Sequence, residues 1–165
     1  MPNLATFGSA SHMVFDHLGV IVPNLSQGRE ILGGALGIRS WTAEFDDPVN
    51  DVYVQFGLCP SGMCYETVAP RSPSSPVRNA LKKRVNVLNH VAYRVADLAA
   101  EAQRLRSAGF AALAEARPAV AYGQRAIQFF INADLFLLEL IEAAEHQHRF
   151  IEQDADPLTA HRRKG

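Results

Sequence analysis

The sequence predicts an α+β fold made of two tandem βαβββ modules. Three observations predict it. Asn89-His90-Val91-Ala92-Tyr93-Arg94-Val95-Ala96-Asp97-Leu98 echoes Asp16-His17-Leu18-Gly19-Val20-Ile21-Val22-Pro23-Asn24-Leu25 at an offset of 73 positions. Each copy has a short polar residue, a histidine, an alternating apolar run and then Asx-Leu at a turn. Glu66 and Glu139 obey the same offset, so His17–Glu66 and His90–Glu139 each span 49 positions. Gln55 and Gln128, each followed by Phe, obey it too. Two copies of so long a period mark a duplication rather than a solenoid array.

Val14 to Val22 reads as the first strand, with Phe15, His17, Gly19 and Ile21 on one face because side chains alternate. Pro23 ends it. Asn24, with Gln27 at capping-box spacing, opens a helix to about Leu36, and Gly37 stops it. Ile38–Phe45 and Asp51–Gly57 read as strands joined by Asp46-Asp47-Pro48-Val49-Asn50. The turn Pro60-Ser61-Gly62 leads to a strand over Met63–Val68. Residues 75–84 read as a linker helix opened by Ser75-Pro76. The second module starts with a strand over Val87–Val95. A helix capped by Asp97 follows, with Leu98, Ala102 and Leu105 on one face. Strands near Phe110–Glu115, Arg125–Ile131 and Leu135–Ile141 complete it, with a loop over 117–123. Modules 14–70 and 87–142 thus form one domain, 14–142. Residues 1–13 read as a disordered leader or cloning remnant, and 143–165 as a polar tail, partly helical or disordered, in which His146 and His148 are free.

At 165 residues the chain suits one domain or two small modules sharing a core. Lys+Arg 16 against Asp+Glu 17 gives a net charge of −1, against the concentrated positive field a nucleic-acid binder needs. The apolar share of 48% contains no run of membrane-spanning length, so no membrane partner is expected and a cytoplasmic location is the default. Cys59 and Cys64 flank the Pro60-Ser61-Gly62 turn and read as reduced thiols.

His17, Glu66, His90 and Glu139 lie on four strands of two equivalent modules. Paired about a pseudo-twofold axis, the modules bring the four side chains together. Two imidazoles and two carboxylates suit one divalent first-row metal (Co, Ni, Mn, Zn or Fe) and leave positions open for a substrate oxygen. Taken alone, a strand histidine is more often a hydrogen-bonded core residue than a ligand. Glu139, however, sits in Leu135-Phe136-Leu137-Leu138-Glu139-Leu140-Ile141, where an unpaired carboxylate is costly. Arg78, Lys82, Lys83 and Arg84 on the linker helix read as a solvated face rather than an anion site. Gln55 and Gln128 are expected to face the pocket as substrate-binding residues. Tyr122 is expected to join them from a loop hinged at Gly123.

The βαβββ duplication, with His on the first strand and Glu on the last of each copy, resembles the vicinal oxygen chelate superfamily (glyoxalase, bleomycin resistance and dioxygenase proteins). The resemblance covers about residues 14–142. It implies an incomplete barrel around a metal site. Within the superfamily, Asn89-His90-Val91-Ala92-Tyr93-Arg94-Val95-Ala96-Asp97-Leu98 and Glu66-Thr67-Val68-Ala69-Pro70 resemble the methylmalonyl-CoA epimerases, in which the metal holds the substrate through carbonyl oxygens and stabilises an enolate. This implies a metal-dependent epimerase or isomerase that moves a proton beside the carbonyl of a CoA or other thioester. The chain departs from that group twice: Glu66 stands where the epimerases usually carry Gln, and Gln55 aligns with their catalytic Glu. Glu139 and Glu66 are then the remaining proton carriers, with Glu139 preferred. His/Glu/His/Glu is the ligand set of bacterial glyoxalase I, which makes a glutathione thioester reaction, as a lyase, the alternative. A metal-free small-molecule binding or resistance protein is the alternative from another class. A homodimer is expected.

Overall fold

The computed structural model of the chain describes residues 13–83 and 88–152. Residues 1–12 of the leader, the last part of the tail, and positions Arg84 and Val87 of the expected linker helix and strand lie outside them. The first module holds β1 (Val14–Ile21), α1 (Leu25–Leu36), β2 (Ser40–Trp41), β3 (Phe45–Asp47), β4 (Val52–Leu58) and β5 (Cys64–Pro70). A short helix, α2 (Arg78–Lys83), links it to β6 (Leu88–Arg94), α3 (Leu98–Ser107), β7 (Ala111–Ala112), β8 (Arg117–Ala119), a 3-10 turn (Val120–Tyr122), β9 (Arg125–Ile131) and β10 (Leu137–Ile141). The last strand, β11, is Ile151–Glu152.

Helices α1 and α3 start as their caps dictate. Asn24 is extended and its side chain accepts the Gln27 N–H at 2.9 Å; Asp97 accepts that of Ala100 at 2.9 Å. Gly37 ends α1 at φ 69, a left-handed conformation that costs a residue with a Cβ. The single strand expected over Ile38–Phe45 is broken into two, β2 and β3, that pair different stretches of β4. The loop expected at 117–123 contains β8 and the 3-10 turn. The strand expected from Leu135 begins at Leu137, because Leu135 lies at φ 62 in a tight turn.

All strands join one sheet, in the order β11-β2-β4-β5-β1-β6-β10-β9-β7, with β3 on β4 and β8 on β9. The modules meet at the antiparallel β1–β6 pair. Outward from it, β5 runs parallel to β1 and β10 parallel to β6. The four strands that carry the two His and two Glu are therefore adjacent, and all come from one chain.

Alternation sorts the side chains. Phe130, Leu138 and Leu140 pack with Leu98, Ala102 and Leu105 of α3. Val52, Val54, Phe56, Val68, Ile127 and Ile141 form the core on the opposite face, with Ala119, Ala121 and Tyr122. The sheet curls far enough for the β3–β4 hairpin to reach the second module. Asp47 Oδ2 accepts the Val120 N–H at 3.2 Å, and Asn50 Nδ2 donates to the Pro118 carbonyl at 3.0 Å. Among the described residues no strand ladder seals that seam, so the sheet stays an open barrel.

Candidate metal centre

Small residues make the site possible. Gly19 on β1 is the register partner of Glu66 on β5 and of His90 on β6. Ala92 on β6 is the partner of Glu139 on β10 and of His17 on β1. Each module thus puts a small residue between two strands whose longer side chains lean over it. At Gly19 the room is used fully: a Cβ built there would lie 2.0 Å from Cε1 of His90.

The four expected residues converge. The Nε2 atoms of His17 and His90 are 3.1 Å apart. Oε2 of Glu66 lies 3.3 Å from His17 Nε2 and 3.4 Å from His90 Nε2; Oε2 of Glu139 lies 3.3 Å from each. All four ligand atoms fall within 4.8 Å of one another, and all four residues are buried. Ligand bonds of about 2.0–2.2 Å at tetrahedral or right angles separate neighbouring donor atoms by roughly 2.8–3.6 Å. The histidine–histidine and histidine–glutamate separations of 3.1–3.4 Å match that spacing. Glu139 Oε2 is in addition a buried oxygen with no hydrogen-bond partner. An oxygen left so, beside three other donors, fits a cation between them.

The electrostatics agree. Burial pulls the His17 imidazole down, but the Glu66 charge and the close carboxylate oxygens of Asp16, Glu139 and Glu66 hold it well above its ordinary 6.5. Burial likewise opposes a raised His90, and the close carboxylate oxygens of Glu139 and Glu66 prevail. Burial would raise Glu66; the charge and hydrogen bond of His17 overcome it and bring its carboxyl down to about 2. A divalent ion would take the place of the protons these imidazoles carry.

Neighbours outside the four residues orient them. Asp16 Oδ2 lies 2.8 Å from His17 Nδ1, and Tyr122 donates its hydroxyl to the same oxygen at 2.6 Å. In the second module Asn89 Oδ1 lies 3.1 Å from His90 Nδ1. Consecutive strand residues normally face opposite ways. A bulge between Phe15 and His17 lets Asp16 and His17 both turn inward. The signal for these partners was present as the short polar residue ahead of each histidine, whereas Arg94 and His148, which also reach the Asp16 carboxylate, come from distant parts of the chain and leave no local mark.

A cavity of about 450 Å³ opens on the site. Glu66, His90 and Glu139 form its floor, and Ile21, Val54, Val68, Ile127, Phe129 and Leu137 are among its walls. Pro76, Val77 and Ala80 of the linker line it too, with Arg117. Gln128 and Tyr122 are among its lining residues; Gln128 Nε2 is engaged by the Ala114 carbonyl at 2.8 Å, and Tyr122 is buried rather than part of a lid. Gln55 is not brought to the cavity. It follows Val54 and precedes Phe56, which face inward, so it points to the α1 side. There Arg29 donates to its Oε1 at 2.9 Å and its Nε2 donates to the Thr42 carbonyl at 2.7 Å. Cys59 and Cys64 are free thiols, and burial pushes Cys64 up to about 12. No helix among the described residues is long and apolar enough to cross a membrane.

A buried two-histidine, two-glutamate cluster at the centre of a duplicated, open sheet defines a vicinal oxygen chelate protein. The chain belongs to the glyoxalase/bleomycin resistance protein/dioxygenase superfamily, whose sequence profile matches residues 16–129. It is 29% identical over 124 residues to an ethylmalonyl-CoA/methylmalonyl-CoA epimerase of Cereibacter sphaeroides, covering 72% of this chain and 88% of that one. The crystal structure of methylmalonyl-CoA epimerase from Mycobacterium tuberculosis superposes with a TM-score of 0.69 at 28% identity, over 92% of this chain and 95% of that one. A Streptomyces coelicolor methylmalonyl-CoA epimerase variant, in complex with 2-nitronate-propionyl-CoA, shares the fold at a TM-score of 0.63 and 21% identity, over 78% of this chain and 95% of that one.

Proposed function

We propose that this chain is a metal-dependent isomerase that moves a proton on the carbon beside a carbonyl, and that its substrate is an acyl thioester of coenzyme A. The observation that carries the reading is the buried His17/Glu66/His90/Glu139 cluster at the floor of an apolar cavity. The names of the relatives support the choice of acyl-CoA.

When bound, a divalent ion supplies Lewis-acid polarisation of the substrate carbonyl and balances charge developing on its oxygen. The chain's residues do the rest. His17 and His90 would hold the ion through neutral nitrogen, with Asp16 and Asn89 fixing their rings. The cavity walls exclude water and take the apolar part of the acyl group. Glu139 is the preferred base: it reaches the cavity floor from within the apolar stretch Leu137-Leu138-Glu139-Leu140-Ile141, and its Oε2 is buried with no hydrogen-bond partner. The α-proton passes to a Glu139 carboxylate oxygen and returns to the same carbon. Glu66 and Glu139 reach in from β5 and β10, on opposite sides of the histidine pair, so Glu66 is the acid or base available to the other face. Gln55 takes no part, since its side chain is spent on Arg29 and Thr42.

In deuterated water, metal-loaded protein is expected to place deuterium on the α-carbon of methylmalonyl- or ethylmalonyl-CoA. A second reading rests on the two carboxylates being ligands themselves: glyoxalase-type isomerisation of a glutathione hemithioacetal. Lactoylglutathione formation with no α-deuterium in any acyl-CoA would establish that reading instead.

A further inference from the structure

The segment after β10 was expected to be a polar tail. Its described part, residues 143–152, instead crosses back to the first module, where β11 pairs with β2 (Ile151 opposite Trp41, Glu152 opposite Ser40). Arg94 on β6 fastens the crossing by donating to the carbonyls of Ala144 (3.0 Å) and His146. Phe150 packs against the core that contains Val54 and Phe56. Between these anchors the His148 ring stacks on Phe56, with centroids 4.0 Å apart and planes 27° apart.

His148 also reaches the metal centre's support. Its Nε2 lies 3.0 Å from Asp16 Oδ2, the oxygen already held by His17 Nδ1 and the Tyr122 hydroxyl. Arg94 Nε lies 2.8 Å from Oδ1. Three hydrogen-bonding groups and one ion-paired guanidinium, from four parts of the chain, therefore surround one buried carboxylate. The pseudo-equivalent position in the second module, Asn89, is a neutral amide that makes a single 3.1 Å contact to His90. The duplication is thus unequal where it matters for ligand strength. A carboxylate partner makes an imidazole a better ligand and fixes which nitrogen keeps the proton, and such partners are typically worth about 10–100-fold in metal affinity. A carboxylate can do this only while its own orientation is held.

We propose that residues 143–152 form a strap that completes the metal centre, with His148 as a positioning residue. It holds Asp16, which in turn fixes the His17 ring with Nδ1–H donating to Asp16 and Nε2 facing Glu66, His90 and Glu139. This rests on the reading of those four residues as a metal site. The strap thereby ties metal affinity to a part of the chain that neither βαβββ module contains.

Two substitutions in the full chain separate positioning from packing. His148→Phe keeps a ring on Phe56 and removes the donor to Asp16. His148→Gln removes the ring and keeps an N–H donor. Metal dissociation constants measured by chelator competition with zinc or cobalt should rise about tenfold or more in H148F and stay within about threefold of wild type in H148Q. The visible spectrum of the cobalt form should change in H148F alone. Wild-type affinity in H148F, or equal losses in both variants, would overturn the proposal, the latter leaving His148 a packing residue. A wild-type chain that binds no metal would defeat the metal reading. The strap is still decided in that case by the downfield Nδ1–H resonance of His17 in metal-free protein. That resonance should move or exchange faster in H148F and persist in H148Q; an unchanged resonance in H148F would refute the strap's role.

Discussion

Replacing Gly19 with alanine should disable the metal centre while leaving the fold in place. A Cβ at this position would lie 2.0, 2.3 and 2.4 Å from Cε1, Nδ1 and Nε2 of His90. Ordinary carbon contacts begin near about 3.5 Å, so the ring must retreat by roughly 1.5 Å. Ligand distances tolerate only about ±0.2 Å, so His90 leaves the coordination sphere. The expected loss of metal affinity is on the order of 100-fold or more, the upper end of what even an indirect partner costs. Overpacking should also cost about 1–3 kcal/mol of stability. The second module does not predict the same result at its own small residue, because Ala92 already presents a methyl opposite His17 and the two rings stand at 81° to each other. Metal titration followed by elemental analysis, with circular dichroism to confirm folding, is the assay. A folded Gly19→Ala chain that binds one metal with wild-type affinity would refute the packing argument for how His90 is placed.

Glu139→Gln should keep the thioester bound but lower α-proton exchange by about 10²–10⁴-fold, read as deuterium uptake with metal occupancy measured in parallel. Gln55→Glu should not create or raise epimerase activity, because the side chain lies on the α1 side. It should lower the melting temperature, since a carboxylate cannot donate to the Thr42 carbonyl and a buried acceptor left unsatisfied costs about 1–3 kcal/mol. Glu66 falls from 4.5 to about 2 on folding without metal, so its contribution is complete above pH 4.5 and is lost as pH falls toward 2. Glu66→Gln should flatten that acid limb in denaturant titrations of metal-free protein. His17 is shifted the other way, so metal binding near neutrality should expel protons and tighten with rising pH until His17 has titrated. Calorimetry in buffers of different ionisation enthalpy measures that release.

The duplication and the ligand set were legible because a period of 73 residues leaves the same signature twice, and because a carboxylate amid Leu137, Leu138, Leu140 and Ile141 demands a partner. Strand pairing carries that signature into space: Gly19 and Ala92 occupy equivalent register positions, each between one histidine and one glutamate. Alternation also bears on Gln55. Val54 lines the cavity and Phe56 packs in the core on the same face, and the side chain between them turns to Arg29 and Thr42, which the 73-residue match with Gln128 does not reveal. Irregular geometry was harder to read. The bulge that turns Asp16 inward beside His17 has no composition of its own. The strap was hidden for a different reason. Residues 143–152 are charged and aperiodic, and they are held by side-chain contacts to Asp16, Arg94 and Phe56 that are distant in sequence rather than by an apolar face.

The central claim is that His17, Glu66, His90 and Glu139 together hold one catalytic divalent ion. Equilibrium metal binding to the full chain tests it most directly, with wild type measured beside His17→Ala and His90→Ala. One ion per chain in wild type, lost in both variants and accompanied by a rise in wild-type melting temperature, is the predicted result. A wild-type chain that takes up no ion and melts at the same temperature with and without added metal would contradict it, and would leave the cavity as a binding pocket with no metal chemistry.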